Sequence, residues 1–230
     1  MNYGVLLAGG KGTRLGLSIP KQFLKLGEKT ILQHTVEKFI SCSELTYTVV
    51  VVPQAWLEQS SQILHLIQSP NVGICIGGES RQESLYKGLI WLNNKFNTSD
   101  SDIVVSHDVA RPFVTLNMIK ENIKVCQTYG AADTVIPASD TIVESENGDT
   151  VNVVPIRKHM FLGQTPQTFY INQFIRIFEQ LDQDYLNNVT DAAKILNDSG
   201  VVVGLVRGDI SNIKITTLFD LKVAGAILEK

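Results

Sequence analysis

Gly9, Gly10 and Gly12 end an apolar run that begins at Leu6, and among and after them stand Lys11, Arg14 and, beyond Pro20, Lys21. Glycine lets the backbone take positive φ and turn consecutive N–H groups toward one point, a nest that suits phosphate oxygens. So much positive charge on such a loop asks for a negatively charged ligand. Two familiar phosphate loops do not fit. A Walker A loop needs GxxxxGK[ST], whereas Lys11 is followed by Gly12 and no glycine stands at the required earlier position. The dinucleotide fingerprint GxGxxG fails as well, because Gly10 and Gly12 are followed by Thr13, Arg14 and Leu15 before Gly16 arrives one place late.

What is left is LAGGKGTRLG and, shortly after it, PKQ. The combination resembles the signature of nucleotidyltransferases that join a sugar or polyol phosphate to a nucleoside triphosphate. Along the chain GGESRQES (77–84), SHDVARPF (106–113), DTI (140–142), QTPQTF (164–169), TDAAKIL (190–196) and NIKITT (212–217) follow in the order found in cytidylyltransferases. Two related groups share that order: the methylerythritol-phosphate cytidylyltransferases of isoprenoid synthesis, and the ribitol-5-phosphate cytidylyltransferases that supply CDP-ribitol for teichoic-acid and capsule polymers. VPIRKHMFLGQTPQTF and TDAAKIL, with Ala192-Ala193 where the methylerythritol-phosphate group carries a TDEAS-like stretch, look like the ribitol branch. The resemblance therefore implies CMP transfer from CTP to ribitol 5-phosphate, giving CDP-ribitol and pyrophosphate. Methylerythritol phosphate is the alternative acceptor, and a nucleotide-binding regulatory module without activity is the second alternative. Loss of Arg14, Lys21, Asp108 or Lys214 would favour that module, and all four are present.

The residue types make chemical sense for such a transfer. A phosphate-monoester oxygen attacks the α-phosphorus of CTP and pyrophosphate leaves opposite. The monoester has a second pKa of about 6, so the nucleophile is already largely a dianion near pH 7 and needs no general base. What the reaction needs is neutralisation of two polyanions and of the charge building on the leaving group. Arg14 and Lys21 are expected to face the triphosphate. The resemblance adds Lys214, beside the α-phosphate and the incoming phosphate, as the third cation. Read as a lone Lys in an alternating strand, it would otherwise be an outward, solvated residue.

Asp108 follows the apolar run 103–105, at the carboxyl end where open α/β sheets collect ligands, and is the candidate to hold Mg²⁺. By resemblance Leu7, Ala8, Gly9, Gly10, Lys11, Gly12, Gly77, Gly78, Arg81, Ser84 and Asp108 bind CTP. Asp108, Arg111, Thr141, Arg157, Thr165 and Thr190 contact the acceptor, the two arginines offering a fork that suits two phosphate oxygens. Ser80 and Glu83 fit a helix capping box, which explains Ser80 without a place in the site. His107 adjoins Asp108, but a transfer that needs no base leaves it a structural part.

The elements that must carry these residues show in the hydrophobic period. Short apolar runs at 3–7, 47–52, 72–76, 103–105, 134–136 and 201–206 lack strict alternation, as expected of strands covered on both faces. Between them lie helix-spaced stripes: Leu32, Val36, Phe39 and Ile40; Leu57, Leu64 and Ile67; Leu85, Leu89 and Leu92; Ile119, Ile123 and Cys126. Strand alternating with helix predicts an α/β fold with a mostly parallel sheet and helices on both sides. The resemblance makes this a three-layer, Rossmann-like nucleotidyltransferase fold with a mixed sheet. The stretch 140–169 breaks the pattern; Asn147-Gly148 between two β-capable runs predicts a hairpin with a two-residue turn. Such a β-arm is marginal alone and is expected to pack on a second copy, giving a homodimer.

At 230 residues and 44% hydrophobic, with no linker or repeat, the chain is expected to form one domain over 1–230. A net charge of −3 offers no broad footprint for nucleic acid or an anionic membrane. Cys42, Cys75 and Cys126 are odd in number and isolated, so neither a disulfide framework nor a zinc site is expected. The first apolar segment is too short for a signal sequence or a span, and a cytoplasmic protein is expected.

Overall fold

The structure, a computed structural model, describes residues 1–10 and 19–229. Lys11, Gly12 and Arg14 lie outside the described residues.

Nine strands and eight helices are formed among them: β1 Asn2–Leu7, β2 Lys25–Leu26, β3 Lys29–Thr30, α1 Ile31–Ile40, β4 Tyr47–Val52, α2 Leu57–Ile67, β5 Val72–Ile76, α3 Arg81–Phe96, β6 Ile103–Asp108, α4 Leu116–Tyr129, β7 Ala131–Pro137, β8 Phe161–Tyr170, α5 Ile171–Phe178, α6 Gln183–Asn188, α7 Ala192–Asp198, β9 Val203–Arg207 and α8 Leu218–Leu228. Seven strands make one sheet in the order β5-β4-β1-β6-β8-β7-β9. All neighbours are parallel except those of β8, which runs antiparallel to both β6 and β7.

The continuous apolar runs hide a period of two. Tyr3, Val5 and Leu7 of β1, with Val49 and Val51 of β4, pack beneath α3, α5 and α7. Leu6, with Val50 and Val52, packs beneath α1 and α4. Both faces are buried, so both sets of side chains are apolar. Three layers follow directly, and among the described residues no helix is long and apolar enough to cross a membrane. The three cysteines are free and buried, and burial pushes Cys75 and Cys126 up to about 12.

Strand order places the functional cleft. From β1 the chain crosses to β4 and β5 on one side and later returns to β6 on the other, so the connections diverge between β1 and β6. A crevice opens there at the carboxyl ends of the strands, where Leu7 of β1 lies in register with Asp108 of β6.

Three expectations are corrected. β8 carries Gly163, Gln164, Pro166 and Gln167, a composition that does not read as strand, yet it lies inside the sheet. Pro166 is accommodated because the ladder to β6 ends at Gln167 and the ladder to β7 is irregular between Asp133 and Val135. Secondly, Asn147-Gly148 does not make a two-residue hairpin turn. Asn147 Oδ1 instead accepts from the N–H groups of Asp149 (2.9 Å) and Thr150 (3.0 Å), Gly148 takes φ +79°, and a single bridge pairs Glu144 with Val153. The Asn side chain closes a wider, Asx-type turn. Thirdly, Lys214 lies on no strand; the 213–216 segment is irregular and is tied by the N–H of Ile215 to Ala110 O at 2.9 Å.

Candidate active site

The cleft between β1 and β6 is walled by short, strongly anchored pieces. Lys21 opens a 3-10 turn, Lys21–Phe23, directly after Pro20. Its neighbours fix the turn: Gln22 Nε2 donates to Ala8 O at 2.9 Å, and Phe23 enters the core against Trp56 with ring centroids 5.6 Å apart. Lys21 Nζ donates to Ile215 O at 3.1 Å, tying the two walls together. A Cβ on Gly10 would meet Lys21 Cε at 2.9 Å, so the bare backbone there lets the lysine cross the loop.

On the other side, β5 gives way at Gly77 and Gly78 to the first turn of α3. Ser80 Oγ accepts from Glu83 N at 3.0 Å, as the cap predicts, but Glu83 Oε2 reaches Glu79 N (2.8 Å), one residue before the position a capping box requires. A Cβ on Gly78 would lie 2.2 Å from the Glu83 side chain. Ser84 Oγ accepts from Gly78 N at 3.0 Å and so presses the glycine backbone onto the helix. Arg81 thereby projects from the first turn of α3 toward β6.

Asp108, the last residue of β6, is the centre of the charge. Arg81 Nε donates to its Oδ1 at 3.0 Å, and Lys214 Nζ lies 2.7 Å from its Oδ2. Burial by itself would raise the carboxyl, but the Arg81 and Lys214 cations outweigh it and hold Asp108 well below the usual carboxylate range. Arg81 Nη1 is buried with no partner, a donor that an anion in the cleft would satisfy.

These residues line one cavity of about 260 Å³: Leu7, Gly9, Gly10, Lys21, Gly78, Arg81, Ser84, Asp108 and Lys214 are on its wall, with Glu79, Ser80 and Ala110. Larger surface hollows exist, one of about 760 Å³ beside α2, but no Lys or Arg lines it. The small cleft has the chemistry and the large hollow does not. Ser80, expected outside the site, borders it as well as capping α3. Ala8 and Gly77 flank the wall.

The residues expected to hold the acceptor are only partly assembled. Arg111 is near: its Nη1 donates to Asn212 O at 2.8 Å, and its Nε is buried without a partner. Thr165 is buried at 4% exposure, with Oγ1 2.8 Å from His107 Nδ1. Thr141, Arg157 and Thr190 are exposed and do not line the cleft within this chain; Arg157 Nη1 donates to Ser139 O at 3.3 Å. Sequence reasoning missed Asp133 of β7, a half-buried carboxylate whose Oδ1 accepts from Gln167 Nε2 at 3.0 Å. Burial and the nearby Asp191 push it up to about 6, against the opposing pull of Gln167 and Arg81. It carries no motif, and only the pairing of β7 with β8 puts it there.

Among the described residues no group of three His, Cys, Asp or Glu side chains could enclose a metal ion. Mg²⁺ does not require one, since it takes one or two carboxylates and completes its shell with phosphate oxygens and water. Asp108, ionised and on the cavity wall with lone pairs beyond the two it shares with Arg81 and Lys214, fits that donor set.

Comparisons with known proteins place the whole chain in a family. The family model described as "IspD: 2-C-methyl-D-erythritol 4-phosphate cytidylyltransferase" matches residues 3–230. A solved 4-diphosphocytidyl-2C-methyl-D-erythritol synthase of Anaerococcus prevotii superposes with a TM-score of 0.83 at 25% identity, covering 100% of this chain and 96% of that one. The 2-C-methyl-D-erythritol 4-phosphate cytidylyltransferase of Francisella tularensis gives 0.82 at 29% identity, covering 98% of each chain. That of Thermus thermophilus gives 0.77 at 27%, covering 100% of each. The expectation of ribitol 5-phosphate as acceptor is thereby overturned, because the family model and these structures carry the other acceptor in their names. Its warrant also fails physically. Ala192 is wholly buried under the sheet and donates its N–H to Gln167 Oε1 at 3.3 Å, so it begins a helix and packs a core, and Ala193 beside it is half-buried.

Proposed function

From the premise that the chain belongs to the 2-C-methyl-D-erythritol 4-phosphate cytidylyltransferase family, we propose that it transfers the cytidylyl group of CTP to the phosphate of 2-C-methyl-D-erythritol 4-phosphate and releases pyrophosphate. The observation that carries the reading is the convergence of Lys21, Arg81 and Lys214 around Asp108 in one cleft at the β1/β6 divergence.

In this reading the acceptor's phosphate oxygen forms a bond to the α-phosphorus while the bond from that phosphorus to the bridging oxygen breaks, and pyrophosphate departs with the electron pair. No proton need move. Lys21, beside the Gly9–Gly10 backbone, neutralises the leaving triphosphate end, and Arg14 is assigned to the same task. Lys214 stands where α-phosphate and acceptor phosphate meet, and screens two anions that would otherwise repel. Gly77 and Gly78 offer close backbone to the base, and the Ser84 hydroxyl, bonded to Gly78 N and Gly78 O, holds that backbone in place. Arg81, through its unpartnered Nη1, gives the nucleotide a charge-assisted donor. Asp108 would hold Mg²⁺, which when bound supplies further charge neutralisation to the phosphates.

The acceptor is assigned to Arg111 and the arm. Val143, Val151, Val153, Val154 and Ile156 are exposed on the arm, with Phe161 and Leu162 at its return. Such a cluster supports burial against a second copy, which would bring Thr141 and Arg157 to the partner's cleft.

The test is direct. Purified protein with CTP, Mg²⁺ and 2-C-methyl-D-erythritol 4-phosphate is expected to release pyrophosphate and yield the cytidine diphosphate adduct by mass spectrometry. Lys21→Ala should lower turnover by about 10²-fold, the scale of a lost transition-state donor. Tight CTP binding with no pyrophosphate from this acceptor would refute the proposal and favour a regulatory nucleotide-binding role.

A further inference from the structure

Behind the cleft, the face of the sheet under α3 and α7 changes character within one strand period. Val104 of β6, Phe169 of β8 and Ala131 of β7 lie side by side in register and pack in the apolar cluster with Leu85 and Leu89 of α3 and Ala192 of α7. Two residues nearer the cleft, on the same face, the row reads Ser106, Gln167 and Asp133. Asp108 stands two residues further along β6, so this polar row lies about 7 Å from the charged centre. The row does not satisfy itself. Gln167 is fully engaged within it, donating from Nε2 to Asp133 Oδ1 at 3.0 Å and accepting at Oε1 from Ala192 N at 3.3 Å. Ser106 is 0% exposed, and its Oγ has no partner. Gln82 shares the inner face of α3 with Leu85, one turn on; it is 1% exposed, and neither its Oε1 nor its Nε2 has a partner. Asp133 is half-buried, forms no ion pair among the described residues and has a second carboxylate, Asp191, for a neighbour. Buried donors and acceptors left open behind a ligand cleft suit hydroxyl groups, which donate to a carboxylate and accept from an amide at once. They do not suit a phosphate, which the two carboxylates repel and which Lys21 and Lys214 attract to the cleft wall.

We propose that Asp133 is a specificity residue of the acceptor site, its carboxylate accepting the hydrogen of the hydroxyl at the end of the polyol remote from the phosphate. A site with cations at one end and a carboxylate at the other takes a polyol phosphate in one direction only. The phosphate oxygen is then the atom presented to the α-phosphorus, and the hydroxyls are held away from it. Gln167 keeps the carboxylate aimed, because the bond from its Nε2 fixes one oxygen of Asp133 and leaves the group's other lone pairs for the ligand. The inference rests on the proposed acceptor and adds a contact for the end of that molecule that the phosphate-binding residues do not read.

Steady-state kinetics on the whole protein at pH 7.5, with CTP and Mg²⁺, compare 2-C-methyl-D-erythritol 4-phosphate with its 1-deoxy analogue, which lacks the hydroxyl furthest from the phosphate. The wild-type chain should favour the parent acceptor by about tenfold in kcat/KM, the scale of one hydrogen bond to a charged group. Asp133→Ala should bring the two acceptors within about twofold of each other by raising the KM of the parent and leaving that of the analogue. Its CTP affinity by calorimetry should stay within about twofold of wild type. If the alanine chain does not fold, Asp133→Val carries the same comparison. A tenfold preference that survives the substitution, or an equal loss for both acceptors, would show that the carboxylate touches no hydroxyl and would overturn the inference. So would a wild-type chain that uses both acceptors equally well. Absence of pyrophosphate from the wild-type chain with either acceptor would instead overturn the proposed function, and this assignment with it.

Discussion

Replacing Asp133 by Asn should stabilise the protein, and more so as the pH rises. Its carboxylate lies half-buried between β8 and α7, and burial moves it from 3.8 to about 6 in the folded chain. The groups facing it are Gln167 from β8, Asp191 from the start of α7, Arg81 from α3 and Arg111 beyond β6. The first two act in opposite directions, and the cations do not recover what desolvation takes. Because the folded state keeps its proton where the unfolded chain has lost it, stability falls as pH rises from about 4 to about 6 and is level above. At about 1.4 kcal/mol per pKa unit, the change between pH 4 and pH 8 amounts to about 2 kcal/mol. An Asn keeps the oxygen that accepts from Gln167 and has no charge to desolvate. Urea unfolding of both chains at pH 4, 6 and 8 measures the effect, and the comparison between the two chains cancels every other titrating group. The gain from Asp133→Asn should be larger at pH 8 than at pH 4 by that amount. A gain that varies by less than about 0.5 kcal/mol over this range would refute the assignment of a raised carboxyl to Asp133.

Asp108→Asn should reduce turnover by about 10²-fold and weaken its dependence on Mg²⁺ together, because the amide keeps the shape and loses the charge facing Arg81 and Lys214; wild-type turnover in excess EDTA would exclude a metal role for Asp108. The same carboxyl is held below its usual range, so its stabilising contribution is present above about pH 4 and is lost as pH falls further, and Asp108→Asn should flatten the acid limb of the unfolding curve. Gly88→Val should destabilise the fold by about 1–3 kcal/mol in chemical denaturation, since any Cβ there would sit 2.8 Å from Val51 and 3.2 Å from Val5 where α3 presses on the sheet; an unchanged midpoint would contradict that packing. If the arm places Arg157 in a partner's cleft, an Arg157→Ala chain and a Lys21→Ala chain, each inactive, should recover activity as purified heterodimers, and no recovery would place the complete site within one chain.

The apolar runs and helix-spaced stripes settled the α/β class from sequence, because the period of a strand or helix is a local property that burial on two faces imposes directly. β1, β4, β5 and the helices α1 to α4 fall where those patterns lie. That Lys21 comes to lie beside the Gly9–Gly10 backbone was legible for the same reason, since the two are close in sequence. β8 was not legible. Its Gly, Gln and Pro have no strand character, and it becomes a strand only because β6 and β7 present unpaired edges on both sides. The turn at Asn147 escaped for a subtler reason, since Asn-Gly permits a tight turn while the Asn side chain can also cap a wider one. Arg81, Asp108 and Lys214 could each be named from their motifs, but that they neutralise one another was decided by the crossing of chain segments far apart in sequence. The carboxyl of Asp133 lies at the same limit. Sequence shows which groups are available to donate, accept or ionise, and only the tertiary structure decides which of those capacities are already spent and which are shielded from water, because both depend on atoms that neighbours in sequence do not supply.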